Sequence, residues 1–125
     1  MDFIRKFNVA STGMEAQSRR LRVISENIAN ADTPGFQRKV LTFQEAHREG
    51  GVRVSGLTLD QTPLPRVYDP SHPMADAEGY YEGSNVSLVI EVADAREAQR
   101  SYEANLRMFD QARQMASALL DLIKR

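Results

Sequence analysis

Residues 3–35 read FIRKFNVASTGMEAQSRRLRVISENIANADTPG, and the spacing within this stretch decides the architecture. Phe3, Ala10, Gln17, Ile24 and Ala31 recur every seven positions, with Phe7, Met14, Leu21 and Ile28 four places behind them. Apolar residues at a mean spacing of about 3.5 draw one seam along a helix, and that seam needs another helix to cover it. The run stops at Asn30-Ala31-Asp32-Thr33-Pro34-Gly35, where proline drives Thr33 out of the helical region and glycine accepts dihedrals that other residues resist. The pattern predicts a first helix from about Asp2 to Ala31, roughly 45 Å long at about 1.5 Å per residue. Ser11-Thr12-Gly13 breaks its middle with small residues, which reads either as a local kink or as a place where a neighbour comes close.

The far end of the chain repeats the pattern. Leu88, Ala95, Tyr102, Phe109, Ala116 and Ile123 recur by sevens, accompanied by Val92, Gln99, Leu106, Arg113 and Leu120. This second helix is expected to begin after Gly83-Ser84-Asn85, with Asn85 or Ser87 as its N-cap, and to run to about Lys124. Gln17, Gln99 and Arg113 place polar groups in core-like positions, which set register at some cost in stability. Ala98, Ala112 and Leu119 widen the apolar face beyond that of a two-stranded zipper, so the helices call for more than one partner. The side chains expected to meet other subunits are Phe7, Met14, Leu21, Ile24, Ile28, Val92, Tyr102, Leu106, Phe109, Leu120 and Ile123.

Between the helices the period changes. Val52-Arg53-Val54 and Leu57-Thr58-Leu59 alternate, but the apolar parity flips at Ser55-Gly56, which implies a tight turn or bulge. Four of the five prolines fall between Gln61 and Pro73, a density compatible with edge or irregular chain and not with central sheet. The expected organisation is residues 1–32 as the N-terminal helix of a coiled-coil core, 33–84 as an extended β and loop segment with one hairpin, and 85–125 as the C-terminal helix. The fold class is mainly α, two long terminal helices forming an antiparallel coiled-coil pair around a short irregular β segment.

Composition narrows the function. Net charge is −1 with both signs interspersed, which gives no electrostatic support to nucleic-acid or membrane-surface binding. There are no cysteines, so disulfides and thiolate metal sites are excluded. The N-terminus lacks an uninterrupted apolar stretch, and a cleaved secretory signal is not expected.

One cluster has the residue types of an active site. Asp69, His72, Asp76 and Glu78, with His47 elsewhere, could ligate a hard metal or supply an acid and a base. They lie in a proline-punctuated loop without helical zinc spacing, so turn formation is the simpler reading. No catalytic, cofactor-binding or metal-binding residue is assigned, and neither a cofactor nor a small-molecule substrate is expected. Arg19, Arg20 and Arg22 read as a solvated basic face.

Three stretches carry a resemblance. They are Ser11-Thr12-Gly13-Met14-Glu15-Ala16-Gln17 with Val23-Ile24-Ser25-Glu26-Asn27-Ile28-Ala29-Asn30-Ala31, then Val67-Tyr68-Asp69-Pro70-Ser71-His72-Pro73 with Ala75-Asp76-Ala77-Glu78-Gly79-Tyr80, and Asn85-Val86 with Glu91 and Asp94 leading to Arg100-Ser101-Tyr102-Glu103-Ala104-Asn105. In these the chain resembles the bacterial flagellar basal-body rod proteins, most closely their proximal-rod branch. The Asn-Pro pair usual at the start of the last helix is replaced here by Ser87-Leu88. The resemblance implies a non-enzymatic subunit, exported by the flagellar type III apparatus and located in the periplasmic rod. Its partners would be other rod subunits and the base of the basal body, packed as a tube that transmits torque and leaves a lumen. The alternatives are another rod or axial protein or, in a different class, a soluble helical adaptor.

Overall fold

The computed structural model describes residues 2–46 and 50–124. Two helices, α1 (Asp2–Ala29) and α2 (Leu88–Lys124), flank four strands, β1 (Lys39–Glu45), β2 (Val52–Leu59), β3 (Arg66–Tyr68) and β4 (Tyr80–Glu82). Asn27 lies beside Glu91, Gly13 against Asn105 and Phe7 against Phe109, so the helices run antiparallel.

The ends of the helices follow from their sequence. Asn30 turns back on α1, its Nδ2 donating to the Glu26 carbonyl at 2.8 Å, and Thr33 Oγ1 donates to Asn30 Oδ1 at 3.0 Å. Gly35 then takes a left-handed φ of 76°. From there its amide donates toward the Glu82 and Gly83 carbonyls. At the start of α2 the Glu91 amide donates to the Ser87 carbonyl at 3.0 Å, which makes Ser87 the cap. Helix α1 continues through Gly13, so the small residues there serve packing and not a break.

The middle segment forms two antiparallel pairs where one was expected. In β1–β2 the register shifts between Thr42 and Phe43, which face Gly56 and Val54 and leave Ser55 as the extra residue of a bulge. That bulge is the parity flip seen in the sequence. Ser55 Oγ donates to the Thr42 carbonyl at 3.1 Å and closes the gap. The second pair, β3–β4, is three residues per strand, hemmed by Pro65 and Pro70. Tyr80 and Tyr81 open β4, because Val67 and Tyr68 offer them a partner strand.

Helix α1 carries the β1–β2 hairpin on one flank and α2 on the next. The Val52 amide donates to Thr12 Oγ1 at 3.2 Å, seating the hairpin. The buried apolar side chains are few: Ala10, Ala16, Ile24, Ala98 and Ala112 among the described residues. Four are alanines, so the chain's own core is small. Accessible surface totals 8988 Å². A compact monomer of 14.1 kDa exposes about 6,700 Å². The excess of roughly 2,000 Å² is of the size that permanent protein interfaces cover.

Candidate assembly surface

The line where α1 meets α2 is built from small and polar residues. Ala10, Gly13 and Ile24 of α1 face Ala98, Asn105 and Ala112 of α2, and a Cβ added at Gly13 would sit 2.5 Å from Asn105 Oδ1. Side chains this small let the two backbones approach closely, and the larger apolar residues are displaced to the flanks.

The heptads therefore divide. Of the first helix's two lines, Ala10 and Ile24 lie buried in the chain's own pair. The partner line is Gly13, Arg20 and Asn27, three places ahead, and not the heptad line of Phe7, Met14, Leu21 and Ile28. Phe7 is half-buried edge-on against Phe109, ring centroids 5.1 Å apart, and Met14 and Leu21 are also half-buried. Ile28 is exposed. On α2, Val92, Tyr102 and Leu106 are about two-fifths exposed. Leu120 reaches 57 % and Ile123 79 %.

Arg20 fixes which side is which. It reaches Asp94 at 3.7 Å and Glu97 at 3.5 Å on the flank that bears the hairpin, a role for the middle of the three arginines that a solvated-face reading missed. Helical periodicity then puts Phe7, Met14, Leu21 and Ile28, with Leu88, Val92 and Leu106, together on the face turned away from the hairpin. A second exposed row, Met108, Met115, Leu119 and Leu122, follows the opposite flank of α2. Only Leu119 of that row stood out in the sequence, because methionines at a single heptad position give a weak signal.

The antiparallel register leaves α2 longer than its mate. With Gly13 level with Asn105, the residues from Ser117 to Lys124 extend about 12 Å past the start of α1. The most exposed leucine and isoleucine of that end, Leu122 and Ile123, stand on this overhang.

At the opposite end a polar cluster joins four segments. Asn27 and Lys39 exchange two hydrogen bonds of 2.9 Å, side-chain amide to backbone in both directions. Arg38 Nε donates to the fully buried Glu91, Nη2 donates to Asp94 at 2.9 Å, and Nη1 lies 3.7 Å from Asp60. Burial opposes the charge on Arg38, but the hydrogen bond to Glu91 and the charges of Glu91, Asp94 and Asp60 together outweigh it, and its pKa is raised. Asp60 is held below the usual carboxylate range, first by the Thr62 hydroxyl and amide and then by Arg38. Asn85 accepts from the Arg38 amide at 2.6 Å and donates to the Asp60 and Thr62 carbonyls at 3.0 Å. Asn27, Asn85, Glu91 and Asp94 all belong to the stretches that carried the resemblance. Arg38 does not, and no local pattern distinguishes it.

The loop that carries Asp69, His72, Asp76 and Glu78 spends its polar groups on itself. Asp69 accepts from the Ser71 amide and hydroxyl, and Asp76 accepts from the Glu78 and Tyr80 amides and pairs with Arg66 at 3.1 Å. Those amide bonds, that from Tyr80 first, lower the Asp76 pKa. His72 Nδ1 accepts from the Met74 amide while its ring stacks on Tyr81 at 3.9 Å. No group of three or more His, Asp or Glu residues is placed to hold a metal ion among the described residues, and His47 lies outside them. No helix is long and apolar enough to cross a membrane among the described residues.

Comparison with known proteins points one way. Residues 7–37 match the family described as flagella basal body rod protein, and residues 77–122 match the C-terminal family of flagellar basal body rod FlgEFG proteins. The chain is 44% identical to flagellar basal-body rod protein FlgC of Agrobacterium fabrum, over 93% of this chain and 91% of that one. It is 34% identical to FlgC of Salmonella typhimurium over 98% of each, and 34% identical to FlgC of Borreliella burgdorferi over 99% of each.

Proposed function

The chain belongs to the FlgC family of flagellar basal-body rod proteins, and from that premise we propose that its two helices build the wall of the rod by burying their outer faces against neighbouring subunits. It is a structural subunit of the basal body, and it assembles with other rod components. The proposal goes further and names the contacts. Phe7, Met14, Leu21, Ile28, Val92, Tyr102, Leu106, Leu120 and Ile123 meet adjacent subunits, while Ile24 and Phe109 first serve the chain's own pair.

One observation carries this reading: alanines fill the inside of the helix pair and the large apolar side chains stand outside it. An isolated two-helix protein would place them the other way round, since burying a leucine or phenylalanine contributes about 1.5–3 kcal/mol and an alanine far less. Contacts from one subunit to the next in a single direction generate an open helical array, which is the geometry of a tube. Such a tube carries torque through packed side chains, and its lumen is left free for export.

Replacing Leu106 tests the proposal. Leu106→Glu should leave the isolated chain as folded as before by circular dichroism, and leave its secretion intact. Basal bodies purified from that strain should lack a completed rod, and the cells should not swim. Normal swimming would overturn the reading.

A further inference from the structure

We propose that the cleft enclosed by α1, β1 and α2 receives a basic side chain, lysine or arginine, presented by a neighbouring rod subunit. The inference rests on the rod-subunit reading and adds the chemistry of one contact to it.

The cleft is about 320 Å³ and is floored by Glu91 and Asp94, with Glu97 at its mouth and Val23, Val40 and Phe43 along its wall. Its charges do not balance. Of the lining carboxylates, Glu91 and Asp94 share Arg38 with Asp60, which lies outside the cleft, and Asp94 and Glu97 share Arg20. The remaining cation on the wall, Lys39, is engaged by Glu26 at 3.0 Å. Glu91 is fully buried, and its Oε2 has no hydrogen-bond donor among the described residues. Arg20 does not make up the shortfall, because it stands 3.5 Å from Glu97 and 3.7 Å from Asp94 and holds neither closely.

A carboxylate that is buried without a full set of donors is costly, and an excess of negative charge around it raises that cost. An ammonium or guanidinium entering at Glu97 cancels part of the excess and brings several donors with it. The aliphatic stem of such a side chain lies well against Val23, Val40 and the half-exposed ring of Phe43. An acidic or purely apolar occupant would gain from the wall and lose at the floor.

The test places the photo-reactive residue benzoylphenylalanine at Phe43, an aromatic-for-aromatic exchange on the cleft wall, and irradiates intact basal bodies. The expected product joins this chain to a segment of another subunit that contains lysine or arginine. Adding Glu97→Lys should abolish that product, while Glu97→Asp should retain it. Glu97 is two-thirds exposed, so circular dichroism should find both variants folded. A cross-linked segment without a basic residue would overturn the proposal. So would a product indifferent to Glu97→Lys, or no intersubunit product in basal bodies that contain the chain. Absence of the chain from purified basal bodies would instead defeat the rod-subunit reading itself.

Discussion

Where α1 stops, Asn27, Arg38, Glu91 and Asp94 knit both helices and the hairpin together, whereas where α2 stops, Leu119, Leu120, Leu122 and Ile123 stand largely in water. One end is fastened by directional polar bonds that hold a single geometry. The other is apolar, undirected and bare. Polar networks specify shape, while apolar surface supplies association energy once a matching surface arrives. The protein keeps the two at opposite ends, so a subunit can own its shape before it owns any neighbour.

The contrast is easiest to break at the fastened end. Arg38→Ala leaves Glu91 buried without its cation and should lower the unfolding free energy by roughly 3 kcal/mol, read from urea titration. The pair Arg38→Met with Glu91→Met should cost clearly less than Arg38→Ala alone, since apolar groups of similar volume replace a buried ion pair without an orphaned charge. Equal losses would mean that the cluster acts by packing and not by charge. A smaller effect is expected midway along the helices. Gly13→Ala forces Asn105 aside and should cost about 1 kcal/mol net of the better helix propensity. Asn105→Ala in the same chain should return most of it. The smallest effect on the isolated chain belongs to the bare end. Leu120→Glu should stay within about 0.5 kcal/mol of the parent, yet basal bodies should lack a finished rod. A large loss of monomer stability from that variant would erase the distinction between the two ends.

Much of this arrangement was legible in the residues alone. The heptads placed both helices, Pro34-Gly35 placed the end of the first, and the parity flip at Ser55-Gly56 located the bulge. Each of these signals is local, because it depends on residues within a few turns or strands of one another. What escaped was set by distance in the chain. Phe7, Met14, Leu21 and Ile28 look like the better half of the seam, but glycine and alanine win the inner positions by allowing closer backbones, a choice made only when both helices are present. Arg38 meets Glu91 and Asp94 more than fifty residues away, and no periodicity announces such a pair. The β3–β4 strands are too short to alternate legibly, and they exist because Gly79 bends the chain with φ 88° so that Tyr80 returns against Tyr68.

The two turns of α2 that outrun α1 have a consequence for growth. A protomer with a protruding apolar prong at one pole and a polar network at the other is a vector. Copies that stack head to tail, as the proposed packing has them, present different chemistry at the base and the tip of the stack. In such a stack a direction is written into the offset between two helices of unequal length.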